Sequence, residues 1–390
     1  MRKAYDYIVI GCGGIGSAAA YWLSRAAGAE VLVLEQFPLG HDQAASDDHS
    51  KIIRLAYHAA RYTALTPHTF IAWRHVEEES GVRLVLKTGG LDLAPMGAVG
   101  DPALERRASA MDAHGIPFER LNARDVMARW PQYRLAETAG ALYQADGGLV
   151  DTRKAVATHA ALARARGATI LDRTPVRHLR AAGERIEVQT DEVTFTGRRV
   201  IVAADAWTNK VLEGLGVAWP LTVTEEQVTY FATPHLREFA PDRFPVWIWH
   251  AQEAFYGFPV YGEVATKAGQ DVGGDVVTVE TRRRVPNPRP LQKLTEFLAA
   301  HIPGFLGPVL YTKPCLYTLP PDRDFIIDRL PEHPQVAVAV GAGHAAKFSC
   351  LIGRILSQLA IDGETPYPIE PFRIRRPGLT DPNFVPSFYH

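Results

Sequence analysis

At 390 residues the chain exceeds the roughly 100–200 of a typical single domain, which predicts two structural units with ample material for a core. Hydrophobic residues at 47% and charged ones at 22% describe an ordinary globular protein and exclude a disordered one. A net charge of -1 gives no global field for nucleic acid or an anionic membrane, and no apolar run reaches the ~18 residues of a membrane span.

The chain opens with MRKAYDYIVIGCGG, which enters a strand without the layout of a signal peptide. Buried strands of a parallel sheet are expected at residues 7–10, 31–35, 200–204 and 336–340, all short apolar runs. Between the first two lies Gly11-Cys12-Gly13-Gly14-Ile15-Gly16, followed by a small-residue helix. This is a complete dinucleotide-binding βαβ unit: Gly11 for a tight turn, Gly13 for close approach of a pyrophosphate, Gly16 for packing of helix on strand. Glu35, 24 residues after Gly11, ends the second strand, where a carboxylate can accept from both ribose hydroxyls and disfavours a 2′-phosphate. FAD and NAD both satisfy this unit.

A polar segment, Ser46-Asp47-Asp48-His49-Ser50-Lys51-Ile52-Ile53-Arg54-Leu55-Ala56-Tyr57, comes next. Helical spacing is expected at 104–114 and alternation at 223–233 and 277–283, with a proline-rich loop at 284–290. Because the parallel-sheet strands are spread along the chain, a second domain must be inserted between them. Residues 1–87, 145–221 and 311–390 are expected in one unit, and 88–144 with 222–310 in the other. After the strand at 336–340 and the turn Gly341-Ala342-Gly343-His344, Lys347 opens a helix with apolar Phe348, Leu351, Ile352, Ile355, Leu356 and Leu359. A lysine there opposes the helix dipole but emerges at the carboxyl end of a parallel strand, where open α/β sheets bind ligands.

Three cysteines, Cys12, Cys315 and Cys350, are an odd set without metal-ligand spacing, so neither a disulfide framework nor a metal site is expected. A cytoplasmic location follows, and the closing PSFYH lacks a peroxisomal address of the Ser-Lys-Leu type. Cys12, inside the glycine loop, is expected to point into packing.

The polar segment resembles the D-amino-acid-oxidase-like flavoproteins and, within them, the monomeric sarcosine oxidase family. So do Val200-Ile201-Val202-Ala203-Ala204-Asp205-Ala206-Trp207, Lys313-Pro314-Cys315-Leu316-Tyr317-Thr318 and Gly341-Ala342-Gly343-His344-Ala345-Ala346-Lys347-Phe348. In order and spacing these blocks match that family from residue 5 to about 375. The resemblance implies an α/β protein, α+β overall, with a Rossmann-like FAD-binding domain and a discontinuous second domain on a mostly antiparallel sheet. It implies FAD tethered through a thioether at Cys315, whose thiolate Lys313 could favour if it points inward. FAD contacts are implied at Gly11, Gly13, Gly14, Ile15, Gly16, Glu35, Gln36, Ser50, Lys51, Val176, Trp207, Gly343 and Lys347.

By the same resemblance Arg54 and Lys347 clamp a substrate carboxylate, and His344 lies close to the flavin, although a loop histidine bonded to backbone would read the same. Lys267, anchored by Gly257-Phe258-Pro259, corresponds to the lysine that activates O2. The implied reaction is oxidation of a sarcosine-like secondary, N-methyl or cyclic α-amino acid to an imine, with O2 reduced to H2O2, by a monomer that binds neither nucleic acid nor membrane. Pipecolate, saccharopine or fructosyl amino acid oxidation remains open, as does a dehydrogenase with another acceptor. Two positions depart from the family: Lys51 stands where Arg is usual, which loses a bidentate fork, and Asp205 replaces a Gly.

Overall fold

The computed structural model describes residues 2–95 and 100–388; Met1, residues 96–99 and the last two residues of the PSFYH tail lie outside the described residues. The first strand, Ala4–Ile10, becomes wholly buried at its carboxyl end, as a strand covered on both faces must be. It pairs in parallel with Val31–Leu34 on one side and Thr194–Val202 on the other. Val336–Val340 joins Thr194–Val202 in parallel, and Thr169–Leu171 joins Val31–Leu34. One sheet is thus assembled from both ends and the middle of the chain.

Helix Gly14–Ala27 lies against this sheet and against helix Ser349–Ile361. A Cβ on Gly353 would sit 2.5 Å from the Ala18 side chain, so only glycine permits this approach. More than 300 residues of sequence separate the two helices. Their apolar faces share one core with Trp73, Tyr62 and Phe325.

The second sheet has nine strands, and every pairing in it is antiparallel except that of Val246–Trp249 with Gly90–Pro95. A core of aromatic and aliphatic side chains, including Trp247, Phe305 and Phe239, covers one face. A small three-stranded sheet of Lys51–Ile53, Val85–Lys87 and Gly148–Val150 lies apart from both.

Four expectations change. The strand Val309–Leu319, which carries Cys315 and was assigned with the first unit, pairs along its length with Thr222–Phe231 of the second sheet. The strand expected at 277–283 ends at Val277. The Thr278 hydroxyl accepts from the backbone amides of Glu280 and Thr281, and this local turn displaces a ladder. Lys347 belongs to a 3-10 turn, Ala345–Phe348, and the α-helix begins at Ser349. Helix Gly100–Asp112 takes the place of the pattern at 104–114. Among the described residues no helix is long and apolar enough to cross a membrane.

Candidate active site

The glycine turn is built as its residue types require. Gly11 has φ +93°, and a Cβ there would lie 2.4 Å from the Ala203 carbonyl oxygen. A Cβ on Gly16 would lie 1.9 Å from the carbonyl oxygen of Gly11, so helix and strand touch backbone to backbone. Gly13, the N-cap of the helix starting at Gly14, has no side chain to cap it, and although the Gly14 amide donates to Ser46 Oγ at 2.8 Å, the positive dipole end faces the turn, where an anion is favoured.

From this turn a cavity of about 840 Å³ runs between the sheets to Lys347. Gly11, Gly13, Gly14, Ile15, Glu35, Gln36, Lys51, Arg54, Val176, Trp207, Gly343, His344 and Lys347 all line it. Gly16, Ser50, Lys267 and Cys315 do not. Gly16 is buried under the turn, Lys267 and Ser50 are bonded to each other behind the wall, and Cys315 is half-buried.

At the glycine end, Glu35 accepts from the amides of Cys12 at 2.7 Å and Phe37 at 3.0 Å, with His41 Nε2 at 3.4 Å. Burial pushes its carboxyl up, but His41 and the two amides outweigh this and hold it below its usual range. Backbone therefore occupies much of the carboxylate expected to receive the ribose, and about one of its roughly four acceptor sites stays open. Cys12 is buried in packing and its thiol is pushed up to about 12 by desolvation.

Trp207 lies in an aromatic and cationic box that the sequence did not reveal. The Phe37 ring meets it edge-on at 5.5 Å, and the Arg282 guanidinium stands 5.3 Å from its centroid. Asp205 is strained at φ +47°, and desolvation raises its carboxyl to about 6.

Behind the wall, Asp48 holds two lysines. Its Oδ2 lies 2.7 Å from Lys267 Nζ and 3.7 Å from Lys51 Nζ. Lys267 also donates to the Ser50 carbonyl at 2.5 Å and to Ser50 Oγ at 3.2 Å, so three acceptors face its three hydrogens. Desolvation lowers Lys267 to about 8 despite Asp48. Asp48 itself, although desolvated, is held well below the carboxylate range by Lys267 and Lys51. Of this trio, Lys51 alone brings its charge to the cavity.

Cys315 is half-buried on a strand where it shares a face with Tyr317, a cavity-lining residue. Burial raises its thiol to about 11; Lys51 is the strongest influence in the opposite direction. Lys313 does not serve this thiol, because its ammonium pairs with Asp47.

At the far end, Tyr57 stands between the two expected clamp residues. The Arg54 guanidinium lies 5.1 Å and Lys347 Nζ 5.3 Å from its ring centroid, and Lys347 donates to the Tyr57 hydroxyl at 2.9 Å. Lys347 also donates to the His344 carbonyl at 3.3 Å. Burial, then the nearby Arg54, lower Lys347 to about 7. His344 lines the cavity, and its Nε2 lies 3.2 Å from the Arg323 carbonyl oxygen.

Arg54 is not free to act alone. Its Nη1 donates to Asp92 Oδ1 at 2.5 Å, and the same oxygen takes His250 Nε2 at 2.7 Å and lies 3.4 Å from Arg107 Nε. Asp92, His250 and Arg107 were not found from sequence. Arg107 carried one signal: it falls within the apolar stripe Leu104, Ala108 and Met111 of its helix, where a charge needs a buried partner.

A cavity of this size, open at one end on an uncapped helix and glycine turn and lined by cations at the other, fits FAD together with a small carboxylate. Comparison with known proteins agrees. The family model described as FAD dependent oxidoreductase matches residues 6–359. Monomeric sarcosine oxidase of Arthrobacter sp. is 30% identical over 97% of this chain and 98% of its own. N-methyl-L-tryptophan oxidase of Escherichia coli is 30% identical, covering 95% and 99%. NikD, an amino acid oxidase of nikkomycin biosynthesis, superposes in its open form with a TM-score of 0.84 at 28% identity, covering 95% of this chain and 98% of that one.

Proposed function

The chain belongs to the FAD dependent oxidoreductase family, and from that premise we propose that it oxidises a secondary α-amino acid, N-methylated or cyclic, to the imine with O2 as acceptor. Bound FAD would supply an acceptor for hydride from the carbon beside nitrogen as the nitrogen loses a proton, the two electrons and two protons ending in hydrogen peroxide. Water then hydrolyses the imine.

The observation that carries this reading is the pairing of Arg54 and Lys347 across Tyr57 at one end of the cavity. They hold the substrate carboxylate, Arg54 with its remaining N–H groups and Lys347 as a compact charge. Burial and the neighbouring cations Arg54, Arg107 and Lys347 favour a neutral amine, whose lone pair lets hydride leave the adjacent carbon. Gly11, Gly13 and the helix end at Gly14 hold the pyrophosphate, with Glu35 at the ribose and Val176, Gln36 and Trp207 around the adenosine. Lys51, His344 and Gly343 flank the ring system.

Cys315 is the proposed tether for FAD, supported by its place on the strand that carries Tyr317 to the cavity wall. Lys267 is the proposed cation for O2 activation, by fixed positive charge where superoxide develops. Residues 1–87, 145–221 and the chain from about 320 onward make the FAD domain, and the rest the substrate domain. The protein acts as a monomer in the cytoplasm, consistent with three free cysteines.

Peroxide release in air from sarcosine, longer N-methyl amino acids, pipecolate and fructosyl-glycine tests the reading; silence across that panel would end it. Acid-precipitated protein should stay yellow after washing, whereas a colourless pellet with free FAD removes the tether. The second reading is a dehydrogenase with another acceptor. It is favoured by the compensation of Lys267 by Asp48, and anaerobic bleaching of the flavin without aerobic turnover would select it.

A further inference from the structure

The carboxylate end of the cavity holds one more cation than a simple amino acid needs. Arg107 is 2% exposed and lines the cavity from helix Gly100–Asp112 of the substrate side. Its Nη1 donates to the Ala103 carbonyl of its own helix at 2.9 Å, and its Nε lies 3.4 Å from Asp92. Its Nη2 makes no hydrogen bond to a described residue. Arg54 is in the same position: Nη1 serves Asp92, while its Nε is buried without a partner.

Charge makes the imbalance explicit. Among the described residues Asp92 alone faces both guanidiniums, since His250 is held neutral, lowered to about 4 chiefly by burial. The other buried guanidinium at this end, Arg323, is matched by Asp271 at 2.8 Å. Arg54, Arg107 and protonated Lys347 against Asp92 therefore leave a surplus of two positive charges. The α-carboxylate of a substrate with a neutral amine cancels one. A buried cation left over costs several kcal/mol unless an anion meets it.

We propose that Arg107 forms a second anion subsite, and that the preferred substrates are N-substituted amino acids bearing a second carboxylate. This rests on the amino acid oxidase reading and narrows it. Arg54 and Lys347 take the α-carboxylate; the free Nη2 edge of Arg107 takes the second, with charge-assisted hydrogen bonds of the kind that reward a planar fork.

Thioethers replace the oxidisable nitrogen by sulfur, so equilibrium binding can be followed on the holoenzyme by flavin difference spectra and by calorimetry. Thiodiacetate and 3-(carboxymethylthio)propionate supply two carboxylates at two spacings, and (methylthio)acetate supplies one. At least one dicarboxylate is expected to bind about tenfold or more tightly than the monocarboxylate, the worth of one charge-assisted hydrogen bond. Arg107→Leu should collapse that ratio toward one and Arg107→Lys should restore part of it. A wild-type ratio near one, or a ratio that Arg107→Leu leaves intact, overturns the subsite while leaving the oxidase reading standing. If Arg107→Leu does not fold, the wild-type ratio and Arg107→Lys still decide. Failure of all three thioethers to bind overturns both, because the Arg54–Lys347 clamp is then absent as well.

Discussion

At the scale of single residues, desolvation lowers two buried lysines toward neutrality, and each gives a pH signature. Lys347 is lowered to about 7 by desolvation and Arg54. A bound carboxylate favours its charged form and raises it again, so binding takes up a proton once the pH exceeds about 7. Below that value the lysine is protonated in both states and affinity is flat. Above it, the affinity of (methylthio)acetate should fall by up to about tenfold per pH unit, and Lys347→Met should flatten the profile as well as weaken binding. A profile unaffected by that substitution would place the titrating group elsewhere. Lys267 is lowered to about 8, and only its protonated form can stabilise developing superoxide. Flavin reoxidation should therefore slow as the pH rises through about 8. Lys267→Met should slow reoxidation far more than reduction, Lys267→Arg should recover part of the rate, and equal effects on both half-reactions would remove the oxygen role. The Met variant also takes from Asp48, a buried carboxylate, its nearer lysine, leaving Lys51 at 3.7 Å, and should cost up to about 3–5 kcal/mol in denaturant unfolding. Lys267 was legible in the sequence through Gly257-Phe258-Pro259. Its counter-ion Asp48 was not, because 219 residues separate the two and only the fold brings them to 2.7 Å.

At the scale of elements, the βαβ unit was readable because its constraints are local. Tight turn, close helix and terminal acid all lie within residues 7–35, and each demands a particular residue type. Gly16→Ala tests the tightest of these contacts. Its methyl group would meet the Gly11 carbonyl at 1.9 Å, backbone against backbone, so the turn must open. A loss at or above the about 1–3 kcal/mol of ordinary overpacking is expected, together with loss of bound FAD. Wild-type stability and flavin content in that variant would contradict the geometry. The strand expected at 277–283 failed for an equally local reason: alternation of apolar and polar residues does not register that the Thr278 hydroxyl can capture two amides. Lys347 at the start of a helix was a conflict with the dipole, and the structure resolves it with a 3-10 turn and two hydrogen-bond acceptors.

At the scale of the whole molecule, the cavity is walled by residues from Ile10 to Ser349, drawn from both large sheets. FAD held there is part of the core that joins them, so its loss should be felt in global stability. With a tether at Cys315, added FAD leaves the wild-type Tm unchanged. In Cys315→Ser the Tm should rise with FAD concentration, by an amount equivalent to about 2.7 kcal/mol at a hundredfold excess over Kd. A wild-type Tm that climbs equally with added FAD would mean that no covalent bond exists. What the amino-acid order determined alone was everything carried by contiguous residues: the dinucleotide unit, the family blocks around Arg54, Cys315 and Lys347, and the inference of a discontinuous second domain. What the tertiary structure decided was which charges meet. Asp92 gathers Arg54, Arg107 and His250 from three separate segments, Asp48 compensates Lys267, and Lys313 is drawn away from Cys315 to Asp47. Local patterns record the periodicity of burial, but a buried charge is settled by whichever partner the fold carries to it, and that partner leaves no mark in the neighbouring sequence.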